Sequence, residues 1–300
     1  MEETKPQILF LGNGLNRAFL GQSWDELLES IRIRDNCNIK KLNCPETLKA
    51  ILVTNDQLDK SMKVNKEKLY GSIKNNEQRK ILQKILSTDF DQILTTNYSY
   101  ELELAAYNLE SITDNKLKKI NCKTDKVSRI ETKYLLHTFN KCEYNGVQNQ
   151  VWHIHGEARK PDSMILGHYY YGNLFFKIKN LLNDRKNSYE EMKKNNQSFE
   201  ISSWIDGFIL GDVYVLGFGF GFTEFDLWWL LNRKKREKVE TGKMYFYMLK
   251  HEAEANYEKL ELLKLLGVIP VIFEEEYTYP NFYNEAINDI QNRILKARSV

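Results

Sequence analysis

The stretch VYVLGFGFGFTEFDLWWLL, Val213–Leu231, decides the fold. Val213–Leu216 carries no charged side chain, so neither face of the strand it forms can be given to water. Gly217, Gly219 and Gly221 end that strand in a turn where backbone can come close to a ligand. A helix rich in Leu and Trp follows, over Leu227–Leu231. A doubly buried strand running through a tight turn into a helix is the building unit of a parallel sheet covered on both sides.

The same unit recurs in both directions along the chain. Upstream, Ile8–Leu11 is a short apolar strand, followed by Gly12-Asn13-Gly14, and Ser23-Trp24-Asp25-Glu26 is a capping box that opens a helix. Downstream, Met244–Leu249 reads as a strand, Glu252–Leu266 as a helix, Val268–Phe273 as a strand and Asn281–Ala297 as a helix. Between them, a strand ends at Leu94, a helix spans about Tyr98–Tyr107, and Val151–Gly156 and Met164–Leu166 read as strands. Tyr170–Leu182 and Phe199–Leu210 carry helical patterns. The expectation is an α/β protein with a doubly wound, parallel, Rossmann-like sheet.

With 300 residues and 42% hydrophobic content the chain can bury one large core. One domain over 1–300 is expected, with a helical insertion at about 34–88 and a polar insertion at about 108–150 that contains a β-hairpin turning at Asn145-Gly146. The net charge of +2 gives no electrostatic case for direct nucleic-acid or membrane binding. Four cysteines without a C-x-x-C pair argue against structural zinc, and no metal is expected. With no signal peptide and no apolar run of about 18 residues, the expected compartment is the reducing cytoplasm.

In a doubly wound sheet the ligand crevice lies at the carboxyl ends of the strands. Four tips carry polar chemistry. Gly12, Asn13, Gly14, Asn16 and Arg17 form a glycine turn suited to phosphate or ribose, although Arg17 stands where the third glycine of a dinucleotide fingerprint would be. Thr95, Thr96 and Asn97 either cap the next helix or reach a ligand; the Asn97 amide can donate and accept without titrating. His153 and His155, by strand alternation, share one face, and one of them suits a base near neutral pH. Asp226, after Gly217 and Gly219, either binds a ribose or complements the helix dipole.

In this order, FLGNGLNRAF with SWDELL, TTNYSYELE, HIHGE, VLGFGFGFTEFDLWWLL and LLGVIPVIF resemble the sirtuin-like (silent information regulator) superfamily, in particular bacterial sirtuin-like domains of antiphage defence. The resemblance spans essentially the whole chain, and the TTNY and HIHG pair is its most specific part. It implies an NAD-site asparagine at Asn97 and a catalytic histidine at His155. It implies pyrophosphate contacts from Gly12 and Gly14 and an adenosine half near Gly217, Gly219 and Asp226; Thr96 and Ser99 are further cofactor-binding candidates, and Ser99 stands where the family commonly carries the aspartate of the ribose-side contact. The two-CxxC zinc module and the Pro-Asp-Phe-Arg cofactor loop of deacylating sirtuins are absent. The resemblance therefore implies an NAD hydrolase with NAD as substrate. Its control would come through homo-oligomerisation or a co-encoded regulatory protein: an ATPase, an Argonaute-like or a nucleotide-sensing protein. The alternatives are a non-catalytic NAD or ADP-ribose sensor and a zinc-less deacylase.

Overall fold

A computed structural model describes residues 5–34, 38, 43–113, 123–126, 133–183, 189–194, 201–274 and 277–299. Its strands are β1 (Gln7–Leu11), β2 (Gln92–Thr95), β3 (Lys123–Lys126), β4 (Thr138–Tyr144), β5 (Val147–His153), β6 (Asp212–Leu216), β7 (Met244–Leu249) and β8 (Val268–Phe273). They form one sheet in the order β3-β4-β5-β2-β1-β6-β7-β8. From β5 to β8 every neighbouring pair is parallel, while β3, β4 and β5 pair antiparallel. Among the parallel strands, the chain moves outward from β1 to β2 and β5, then returns to β6 on the other side of β1. That reversal between β1 and β6 is the switch point of a Rossmann-like sheet.

The apolar runs are unbroken because both faces are covered. Ile8, Phe10, Leu94, Trp152, Val213 and Val215 face one layer, which holds the helices His168–Asn183, Trp204–Leu210 and Phe225–Arg236. Leu9, Leu11, Ile93, Val151, Tyr214 and Leu216 face the other, with Asn76–Leu86, Glu101–Ala106 and Tyr279–Arg298. Burying a Leu, Ile or Phe side chain is worth about 1.5–3 kcal/mol, so this two-sided pattern dominates the stability of the sheet.

The region about 34–88 holds the helices Glu46–Val53, Leu58–Asn65 and Asn76–Leu86. The capping box at Ser23 is present in both directions, Ser23 Oγ accepting from Glu26 N–H and Glu26 accepting from Ser23 N–H. Asn145 and Gly146 both have positive φ, +50° and +80°, which suits the two-residue turn of the β4–β5 hairpin. The hairpin's second strand, β5, also pairs with β2 and so joins the hairpin to the parallel sheet.

Other expectations need correction. Met164–Leu166 is not a strand: it follows a 3₁₀ turn at Pro161–Ser163 and is buried as irregular chain. The helical span 252–266 is two helices, Lys250–Ala255 and Tyr257–Leu265, broken at Asn256 with φ −122° and ψ 31°. The helix after β2 starts at Glu101 and the one before β6 at Trp204, while residues 195–200 lie outside the described part. No helix among the described residues is long and apolar enough to cross a membrane.

Candidate functional site

At the carboxyl edge, β2 and β5 lie side by side, with Thr95 opposite His153. Beyond them the two loops are tied together. Ile154 N–H donates to the Thr95 carbonyl (2.9 Å), Ala158 N–H to the Tyr98 carbonyl (3.0 Å) and the Tyr98 hydroxyl to the Ile165 carbonyl (2.6 Å). These bonds fix the loop carrying Asn97 against the loop carrying His155.

The two histidines do not share a face. His153 ends the strand and turns toward the Glu101–Ala106 layer, with Nδ1 at 2.7 Å from the Asn97 carbonyl and Nε2 at 2.9 Å from Glu103 Oε1. The chain then turns at Gly156, whose φ is +92°, and His155 swings to the opposite layer. A Cβ at Gly156 would also stand 2.2 Å from the Ser163 carbonyl oxygen, so glycine is required here twice over. Strand alternation fails because the strand has already ended.

His155 is 1% exposed and lies between two carboxylates. Nε2 is 2.9 Å from Asp226 Oδ2, and Nδ1 is 3.6 Å from Glu224 Oε2. The Tyr171 ring meets the imidazole edge-on at 5.3 Å between centroids. Burial opposes charge on the ring, but Asp226 and Glu224 outweigh it and raise the His155 pKa. With Nε2–H donated to Asp226, the Nδ1 lone pair is left for chemistry. An imidazole held by a carboxylate on its far side has the arrangement that an oriented general base requires. Ligand atoms of His155, Glu224 and Asp226 lie within 4.8 Å of one another, but the carboxylates face different nitrogens of one ring. The 2.9 Å contact of Nε2 with Asp226 Oδ2 is a hydrogen-bond distance, and the ring is held by that bond.

Asn97 and His155 line the same cavity, of about 720 Å³. Asn97 is not a helix cap: the N-cap of the next helix is Tyr100, with no side-chain bond. The Asn97 N–H donates to Thr95 Oγ1 at 3.1 Å and its carbonyl meets His153. The backbone is thus clamped, and the side chain makes no hydrogen bond among the described residues. Thr96, Asn13, Gly14 and Arg17 line the same cavity. Ser99 lines it too and donates its hydroxyl to Glu101, whose pKa is raised by burial and pulled back by that bond.

A second cavity of about 490 Å³ lies across the switch point, over β7. Gly14, Arg17, Gly217, Phe218 and Gly219 line both. Three expected roles are corrected here. Asp226 is fully buried and lines neither cavity; it holds His155. Asn16 turns inward, bonded to Asn13 and Gln78, because its helix face points at the core. Gly12 is buried under Gly217 and Phe218 and reaches neither cavity, while the Gly14 N–H is already donated to the Gly217 carbonyl at 2.7 Å. These glycines let two turns touch each other.

Sequence reasoning gave no role to Glu101, Glu103 or Glu224. Glu224 had one signal: it stands two residues before Asp226, at the mouth of a strand-to-helix turn. No protein-family model and no curated protein sequence matches this chain.

Proposed function

We propose that the protein is an NAD⁺ hydrolase, cleaving the bond between nicotinamide and ribose. One observation carries this reading: an uncharged amide, Asn97, and an oriented imidazole, His155, line one cavity at the carboxyl edge of a Rossmann-like sheet. Nicotinamide leaves as a neutral base from a cationic ring, so no general acid is needed. The paired carboxylates of an ordinary glycosidase are therefore dispensable. The reaction needs an oriented ribose, an attacking water and a base. In this reading Asn97 holds the water or a ribose hydroxyl, and His155 Nδ1 accepts the proton. Ser99 and Glu101 together face the ribose. The adenosine half extends over Gly217 and Gly219 into the second cavity, with Arg17 beside the pyrophosphate. Control by self-assembly or by a co-encoded regulatory protein in the cytoplasm belongs to the same reading, and a role in antiphage defence follows from the resemblance.

The test is release of nicotinamide and ADP-ribose from NAD⁺, with and without an acylated peptide. Hydrolysis without peptide is expected. Asn97→Ala and His155→Ala should each lower the rate by on the order of 10²-fold or more with unchanged circular dichroism. O-acyl-ADP-ribose formed only with peptide would make it a deacylase, and binding without turnover a sensor.

A further inference from the structure

We propose that Glu224 is the proton partner of His155, so that the proton taken from the attacking water is shared between the imidazole and this carboxyl group. The proposal rests on the reading of the cavity as an NAD⁺ hydrolase site. Three geometric facts carry it. Glu224 lines the cavity that holds Asn97 and His155. Its Oε2 lies 3.6 Å from His155 Nδ1, the ring nitrogen that Asp226 does not occupy. That Oε2 is sealed from solvent and has no hydrogen-bond partner among the described residues. At 3.6 Å the pair is too far apart for a hydrogen bond, so neither atom satisfies the other in the resting site. A water or hydroxyl that donates to Nδ1 supplies the missing proton, and a small closure passes it to Oε2.

The surroundings suit the role. The groups facing the pair are Asp226 from the same helix, Tyr98 from the loop after β2 and Tyr171 from the helix His168–Asn183. Both phenols are held far above their usual range by burial, so they keep their protons. Glu224 is pushed up to about 7, by burial and by the Asp226 charge, with His155 pulling the other way. A carboxyl group so placed exchanges a proton at neutral pH. In the step itself, the C1′–N bond breaks with its electron pair going to the nicotinamide ring. The water oxygen bonds to C1′, and one water proton goes to Nδ1 and on to the Glu224 carboxylate. Release of that proton to solvent restores the site.

Glu224→Gln keeps the shape and removes the titration. The experiment measures nicotinamide release from pH 5.5 to 9 and, separately, the His155 imidazole titration by NMR, assigned with His155→Gln. Sharing predicts a rate at pH 7 lowered by on the order of 10²-fold. It also predicts an acid limb displaced to lower pH and a His155 titration moved the same way. A Gln variant with wild-type profile and wild-type His155 titration would overturn the proposal. If the wild type releases no nicotinamide, the hydrolase reading fails, and NMR titration of both groups still decides whether the pair shares a proton: the same two titration steps seen at His155 and at Glu224 support sharing, and one independent step at each group overturns it. Should the Gln variant fail to fold, Glu224→Ala offers the same comparison.

Discussion

In the proposed reaction the ring of His155 can serve as a base only because Asp226 sets which nitrogen carries the hydrogen. Asp226→Asn reverses this: an amide N–H facing Nε2 drives the hydrogen to Nδ1 and removes the lone pair from the cavity. Nicotinamide release should then fall by roughly 10²–10⁴-fold with little change in melting temperature, measured side by side. His153 is the opposite kind of histidine. Two acceptors face its two nitrogens, the Asn97 carbonyl and Glu103, so the imidazolium is favoured. Burial works against that charge, but Glu103 and Glu157 outweigh it and the pKa is raised from 6.5. Its contribution to stability is complete below about 6.5 and is lost as pH rises through the folded value. Glu157 has the other sign. Burial would lift its pKa, yet His153, Lys160 and Arg159 bring it down to about 2 from 4.5. Its contribution, on the order of 3 kcal/mol, is present above pH 4.5 and lost between there and about 2. Glu157→Gln should therefore be less stable than wild type at pH 6, with the gap closing as pH falls through that window in urea melts.

At the scale of elements, the site depends on how strands end. β5 stops at His153, and the turn at Gly156 hands the next histidine to the other layer. Gly156→Ala is expected to disturb that turn, because the new methyl group meets backbone on both counts, and to weaken nicotinamide release more than the helical circular dichroism. The helix Trp204–Leu210 ends differently. The Lys234 Nζ donates to the carbonyls of Phe208, Ile209 and Gly211, closing a buried helix terminus from the neighbouring helix. Lys234→Met fills the same space but leaves three acceptors unpaired. A loss of about 2–4 kcal/mol in chemical denaturation is expected, and an unchanged midpoint would show that water replaces the ammonium.

At the scale of the molecule, the reversal of strand order sets β1 beside β6 and brings their glycine turns into contact. The two cavities lie on either side of that contact, which gives room for a ligand with two halves. Arg17, exposed between them, is the natural cation for an anionic bridge. ADP-ribose at about 100 times its Kd should stabilise the fold by about 2.7 kcal/mol, read as a rise in melting temperature. Arg17→Ala should leave the ligand-free melt unchanged and weaken ADP-ribose binding by on the order of tenfold.

The alternation of fully apolar strands with amphipathic helices was written in residues such as Val213–Leu216 and Ile8–Leu11, because burial on both faces is a local compositional demand. The hairpin at Asn145-Gly146 and the cap at Ser23 were equally legible, since turn and cap chemistry act over a few residues. That Asn97 and His155 stand at strand tips could also be read. Which layer each histidine enters could not, because it turns on where β5 stops and on the contact of Gly156 with Ser163. Nor could the move of Asp226 from ribose to imidazole, or the arrival of Glu224 beside Nδ1. Those pairings join residues about seventy positions apart, and only the placement of the helix Phe225–Arg236 in the layer that His155 enters brings them within reach.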